Sequence, residues 1–498
     1  MIKTEKPAIK TLGELKASGY ESTSIKDELR NNLIEKMSKK EKVFDRVLGY
    51  DDTVIPDIER AILSKHSVNL LGLRGQAKTS IARAMTNLLD EWIPVIEGSD
   101  LNDDPFQPLS RYAKDVIAEK GDDTPIDWLH REERYTEKLA TPDVTIADLI
   151  GDVDPIKAAN LKLSYSDERV IHFGLVPNSN RCIFVINELP DLQARIQVAL
   201  FNILQEGDIQ IRGFKLRLPL DIQFVFTANP EDYTNRGSII TPLKDRIQSQ
   251  IITHYPKSIE IAKQITQQEA RITDEQRKKV SVAPLLEDMI EHIAFVARES
   301  EYIDQKSGVS ARLTISAFEN LVAAAERRTL VNTEKKTNAR ISDLLGAIPA
   351  ITGKVELVYE GEQEGAISVA YQLIAQVIRK VFPQHFPDPD MIKRKKQENP
   401  YATIINWFST NEVDLVNDLS NRDYEKTLSE VPGLIDLVKK YHPKANASEQ
   451  FLYMELVLHG LAEYSLISKN VLDTGLSFKD IMNSMFSFNR DDDFDYDE

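Results

Sequence analysis

The sequence predicts an α/β core, a parallel sheet with helices on both faces, followed by further helical regions. Three observations predict it. Short apolar runs at 67–71, 182–186 and 222–227 read as strands covered on both faces. Helical apolar spacings fall before, between and after them. From about residue 257 to 328 the pattern is almost wholly helical, which predicts a separate all-α domain.

Each element follows in turn. Residues 1–45 are polar and charge-mixed, with helical spacing through 25–37 and a lysine-rich end at 38–42, and read as a helical arm. Val54, Ile58, Ala61 and Ile62 recur at helical spacing. After the strand at 67–71, a helix is expected from 79 to about 92, with Ile81, Ala84, Met85, Leu88 and Leu89 on its apolar face. Residues 93–96 read as another strand, and two strands joined by a helix make a βαβ unit, hence a parallel sheet. An amphipathic helix is expected over 192–205 and a hairpin over 209–218. The Pro-rich stretch 382–389, followed by the basic run 393–396, reads as a linker; residues 399–486 read as a further helical segment. The acidic stretch 491–498 has no core-forming pattern, so disorder is expected there.

Composition narrows the function. The 498 residues suffice for roughly three domains. A net charge of −17 argues against general affinity for nucleic-acid phosphates or anionic membranes. The single cysteine, Cys182, excludes an intramolecular disulfide and reads as an inert core thiol. The eight histidines show no metal-ligand spacing. No apolar run approaches a membrane span and the first residues lack a secretory pattern, so a soluble, cytoplasmic chain is expected.

The chemistry concentrates in Gly72-Leu73-Arg74-Gly75-Gln76-Ala77-Lys78-Thr79, between the first strand and its helix. A phosphate-binding loop needs converging backbone N–H groups, a lysine for the β/γ-phosphates and a hydroxyl for Mg²⁺. Gly72, Gly75, Gln76, Ala77, Lys78 and Thr79 are therefore the expected nucleotide-binding residues. Ala77 stands where glycine is usual. Its methyl costs roughly 1 kcal/mol or more if that position has φ > 0, and nothing in a right-handed conformation.

Two further strand tips fit the same site. The strand at 182–186 ends in Asn187-Glu188, where phosphate-loop ATPases normally carry Asp-Glu. Glu188 suits polarisation of the attacking water. Asn187, with Thr79, is the expected Mg²⁺ support, but without the charge of an aspartate. The strand at 222–227 runs into Asn229, placed to hold the nucleophilic water.

These residues resemble the AAA+ ATPases, and within them the magnesium-chelatase I-subunit and MoxR-like group, over residues 47–328. Leu149-Ile150-Gly151-Asp152-Val153-Asp154 and His172-Phe173-Gly174-Leu175-Val176-Pro177 are similar to the helix-2 insertion of that group. Segments 135–142, 187–192, 231–236 and 353–365 look most like bacterial magnesium chelatase-like proteins, a subgroup that tolerates Asn at 187.

The resemblance implies arginine roles. Thr241-Pro242-Leu243-Lys244-Asp245-Arg246 looks like the arginine-finger segment, so Arg246 would reach the γ-phosphate bound by a neighbouring copy, with Arg236 and Lys244 as lesser candidates. Arg312 is similar to the lid's second sensor. The domains then expected are the arm at 1–45, an ATPase core with insertion at 46–256, a helical lid at 257–345, a connecting segment and linker at 346–398, a helical C-terminal domain at 399–490 and a tail at 491–498. The implied function is an ATP- and Mg²⁺-dependent homo-oligomeric ring of hexameric type. It would remodel, mature or insert metal into a client protein together with a separate von Willebrand-type partner. The alternatives are a nucleotide-gated scaffold with little hydrolysis and the ATPase subunit of a true porphyrin magnesium chelatase. A transcription activator is disfavoured, because the Gly-Ala-Phe-Thr-Gly-Ala loop of that class is absent.

Overall fold

The apolar run Val68–Leu71 forms β1 and stops where Gly72 opens the loop. Four more strands join it: β2 (Tyr135–Leu139), β3 (Ile183–Asn187), β4 (Gln223–Ala228) and β5 (Ser249–Ile252). In the computed structural model they lie in the order β2-β3-β4-β1-β5, and every neighbouring pair is parallel. The structure describes residues 5–164, 167–206, 211, 218–230, 238–395, 398–472 and 475–481. The chain divides into two compact units, Met1–Tyr255 and Pro256–Glu498.

Successive strand residues point to opposite faces, and here each face has its own core. Ile183, Val185 and Val225 pack with Val68 and Leu70 against α1 (Ile25–Ser38), α2 (Val54–Leu63) and α3 (Lys78–Ala84). Phe184, Ile186, Phe224 and Phe226 face the other way, onto Ile196 and Leu200 of α4 (Ala194–Glu206) and onto Leu149, Val170 and Val176 of the insertion. Each buried aromatic of this kind contributes ~1.5–3 kcal/mol. Within the insertion, Gly151–Val153 and Ile171–Phe173 pair antiparallel, Gly151 opposite Phe173. A Cβ at Gly151 would collide with the His172 carbonyl, so the close approach requires glycine there.

Some expectations need correction. The strand expected at 93–96 exists as Trp92–Ile96, but it pairs antiparallel with Ile126–His130, outside the five-stranded sheet. The βαβ unit expected across it is therefore absent. Pro94 is the physical reason: it has no N–H for a central ladder and suits a peripheral strand. The preceding helix also ends earlier than expected, at Ala84, with a 3₁₀ turn to Leu88. The N-terminal segment is more than an arm. Ile25, Leu29 and Leu33 of α1 are buried in the α/β core, and Glu28 forms a buried bidentate pair with Arg134, both contacts at 2.6 Å.

In the unit Pro256–Glu498, the linker expected around 382–389 is instead the end of a 20-residue helix, Ala366–His385. Phe382 on that helix is completely buried, and Pro383 lies in its last turn, so the helix continues past the proline and ends within three residues of it. The segments expected as lid and C-terminal domain share one core, with Leu313 and Leu321 joined to Leu456 and Val457. Buried Glu455 ties them further by accepting the N–H groups of Ile341 and Ser342, each at 2.9 Å. The C-terminal region is not purely helical either: Val413–Val416, Gly475–Lys479 and Ser468–Leu472 form an antiparallel sheet. The hairpin expected at 209–218, apart from Ile211 and Leu218, lies outside the described residues, as do Arg236 and the tail at 491–498. Among the described residues no helix is long and apolar enough to cross a membrane.

Candidate functional site

The loop leaves β1 at the carboxyl edge of the sheet, where open α/β folds place their ligands. Gly75 and Ala77 have positive φ, 72° and 55°, with Gln76 between them on the negative side. Alternation of this kind turns successive N–H groups toward one concavity suited to anions. Ala77 thus takes the left-handed alternative, with its methyl penalty, immediately before α3. Gly72 is required for a different reason: a Cβ there would collide with the Thr253 hydroxyl and the Gln76 side chain.

The Lys78 ammonium donates to the carbonyls of Gly72 and Leu73, the latter at 2.9 Å, and to Asn229 Oδ1 at 2.7 Å. Asn229 is buried at the tip of β4, so two of the sequence-predicted residues meet directly. The Gln76 side chain is buried and accepts the Thr253 hydroxyl at 2.7 Å, so the side chain braces the loop and the backbone N–H is the group left to face an anion. Tyr50 adds a second brace, its hydroxyl donating to the Gln76 carbonyl at 3.1 Å and to the His254 carbonyl at 2.6 Å. Burial pushes the Tyr50 phenol up to about 12, so it stays a donor. Tyr255 holds the Arg74 carbonyl at 3.0 Å.

Asn187 and Glu188 close the far side. Thr227 joins them to β4: its hydroxyl donates to Asn187 Oδ1 and accepts the Glu188 N–H, both at 3.1 Å. Glu188 is itself left-handed, φ 56° and ψ 48°, a costly conformation of a kind that clusters at functional sites. Sequence reasoning missed Glu137 on β2, which accepts the Asn187 amide N–H. Its other oxygen takes the Tyr135 hydroxyl and the Arg83 guanidinium, each at 3.1 Å. The uncharged Asn187 was the one signal that could have prompted a search for a nearby carboxylate.

Arg246 ends the short helix α5 (Thr241–Arg246), bonded to Asp245, with its guanidinium 4.9 Å from the Phe201 ring centroid. Arg312 belongs to the other unit and is the exposed first residue of the helix Arg312–Val331, with its amide held by the Ser310 hydroxyl at 3.1 Å. Cys182 is buried, and burial raises its thiol to about 11.

A loop of this geometry, between a parallel strand and a helix on a two-faced sheet, decides the fold. The α/β unit has the P-loop NTPase fold. That is the fold implied by the resemblance to AAA+ ATPases. No family model and no curated protein matches the chain. Solved structures do. A candidate ATPase of Cytophaga hutchinsonii is similar at 20% identity over 74% of this chain and 98% of its own, with a TM-score of 0.29. The BchI–BchD complex of magnesium chelatase is similar at 17% identity, over 64% of this chain and 98% of the other, with a TM-score of 0.32. NtrX from Brucella abortus is similar at 12% identity, over 80% of this chain and 71% of its own, with a TM-score of 0.37. At these scores the likenesses add nothing to the functional reading, which rests on the residues just described.

The donor set fits a nucleotide with Mg²⁺. The concavity at 75–77 suits phosphate oxygens, and Thr79, Asn187, Glu137 and Glu188 offer the hard oxygen groups that Mg²⁺ and its waters prefer.

Proposed function

We propose that this chain is a Mg²⁺-dependent ATPase that binds ATP along Gly72–Thr79. One observation carries the reading: the Lys78 ammonium and the Asn229 side chain meet at 2.7 Å beside the loop, at the carboxyl edge of a parallel sheet. Lys78 would exchange its loop carbonyls for the β/γ-phosphates, a charge-assisted contact roughly twice as strong as a neutral one. Thr79 and Asn187 would hold Mg²⁺ and its waters; when bound, the ion neutralises charge between the β- and γ-phosphates. Glu188 would take the proton of the attacking water, and Asn229, released from Lys78, would orient that water.

Arg246 would act on the γ-phosphate held by an adjacent copy in a ring. Such fingers contribute ~10³–10⁵ in rate. Arg312 would read the nucleotide state from the helical unit. The homo-oligomeric ring, a von Willebrand-type partner and a client protein to be remodelled, matured or metallated are supported by the sequence resemblance. The deciding experiment is steady-state phosphate release at saturating Mg-ATP by wild type and Glu188→Gln. Turnover by the wild type that collapses in the variant supports the ATPase.

A second reading, a nucleotide-gated scaffold with little hydrolysis, is favoured by the strained Ala77 and the uncharged Asn187. Equal, low rates in both proteins with ATP binding intact select it.

A further inference from the structure

We propose that Glu137 supplies the negative charge that Asn187 lacks at the Mg²⁺ end of the site, acting through the Asn187 amide as a positioning residue. The inference deepens the ATPase reading and rests on it. Its basis is register. In the parallel pair β2–β3, Glu137 lies opposite Val185 and Leu139 opposite Asn187, so Glu137 and Asn187 share the face covered by Val185. Val185 is in the core that holds α3, the helix that begins at Lys78. Arg83, in the last turn of α3, reaches Glu137 at 3.1 Å, which places the carboxylate beside the helix that carries Thr79.

The chemistry follows from who donates to whom. The Asn187 amide N–H is given to Glu137, and its carbonyl oxygen faces Thr227. An amide that donates to a carboxylate carries a more negative carbonyl oxygen, because hydrogen bonds in a chain polarise one another. That oxygen is the acceptor available for a metal-bound water. An aspartate at 187 beside Glu137 would instead place two like-charged carboxylates in contact, an unfavourable pair. The asparagine and the neighbouring glutamate are thus complementary: one acid is present and its position has moved to the adjacent strand. Arg83 offsets part of the charge, but its side chain is largely exposed, and a solvated pair of this kind is weak.

The test is a charge swap read by binding. ATP is titrated calorimetrically into the full chain, in Mg²⁺ and in EDTA, for wild type, Glu137→Gln and the double variant Glu137→Gln/Asn187→Asp. Groups that orient a metal's ligands are worth ~10–100-fold in metal affinity. The wild type should bind ATP more tightly in Mg²⁺ than in EDTA. Glu137→Gln should lose ~10–100-fold of the Mg²⁺-dependent gain with affinity in EDTA unchanged, and the double variant should recover it. Glu137→Asp, which keeps the charge, serves as the control if Glu137→Gln melts early, and it should also retain the gain. A wild-type Mg²⁺ gain in Glu137→Gln, or no recovery in the swap, overturns the proposal. So does a wild type that binds ATP equally well with and without Mg²⁺, which leaves nucleotide binding standing. A wild type that binds no ATP in either condition overturns the ATPase reading itself.

Discussion

Replacing Ala77 with glycine should stabilise the protein, against the usual direction for an Ala-to-Gly change. Ala77 has φ 55° and ψ 18°, the left-handed region. An L-residue with a Cβ is penalised there by ~1–2 kcal/mol relative to right-handed backbone. Glycine removes the clash but loses more chain entropy on folding, ~0.5–1 kcal/mol. The net is a gain of up to roughly 1.5 kcal/mol, centred on about 0.75, which for a unit of this size raises the melting temperature by about 1–3 °C at the centre of that range. Nothing else should change, since the Ala77 side chain is exposed and its removal leaves no cavity. The assay is calorimetric melting of wild type and Ala77→Gly, with urea unfolding as a second measure. A lowered melting temperature would show that the loop is not held left-handed in solution. Convergence of its N–H groups on an anion would then lose its geometric basis.

Other outcomes are expected from the same physics. Gly72→Ala should destabilise the loop by ~1–3 kcal/mol and weaken ATP binding, because the new methyl meets Thr253 and Gln76; unchanged melting and binding would contradict the packing at that turn. Glu291 is buried, and burial pushes its carboxyl up to about 7 from 4.5. Its neutral form is the one the fold favours, so its contribution is fully present below 4.5 and is lost as pH rises through about 7, a swing of up to ~3 kcal/mol. Glu291→Gln should therefore be more stable than wild type at pH 8 and close to it near pH 4.5; parallel pH profiles in urea unfolding would refute this. Cys182 should resist alkylation at pH 8 in the native protein and react at once in urea; rapid native modification would contradict its burial.

The parts of the fold that could be read in advance are those where local pattern and tertiary role coincide. The strand, glycine loop and Lys78-Thr79 could be read because the turn, the ammonium and the hydroxyl occupy consecutive positions. The runs around Phe184 and Phe224 are apolar at nearly every position, as strands buried on both faces must be. Trp92–Ile96 has the same apolar character whichever sheet it joins, and only Pro94 argues for the periphery. The helix Ala366–His385 carries its own helical signal, with Val369, Leu373, Val377 and Val381 on one buried face, but the prolines after Phe382 drew attention to a break. In the site, Asn229 and Glu188 could be inferred from their places at strand tips. Glu137 could not, because its pairing with Asn187 depends on the register between strands 48 residues apart, from 139 to 187. The bracing role of the Gln76 side chain is equally hidden in the sequence, because it depends on where Thr253 falls in space.

In the function proposed above, ATP is held at Gly72–Thr79 by the Lys78 charge. Calorimetric titration of Mg-ATP into wild type and Lys78→Ala tests it most directly. Saturable binding is expected in the wild type and none measurable in the variant at equal melting temperature. Equal affinities in the two proteins would contradict it.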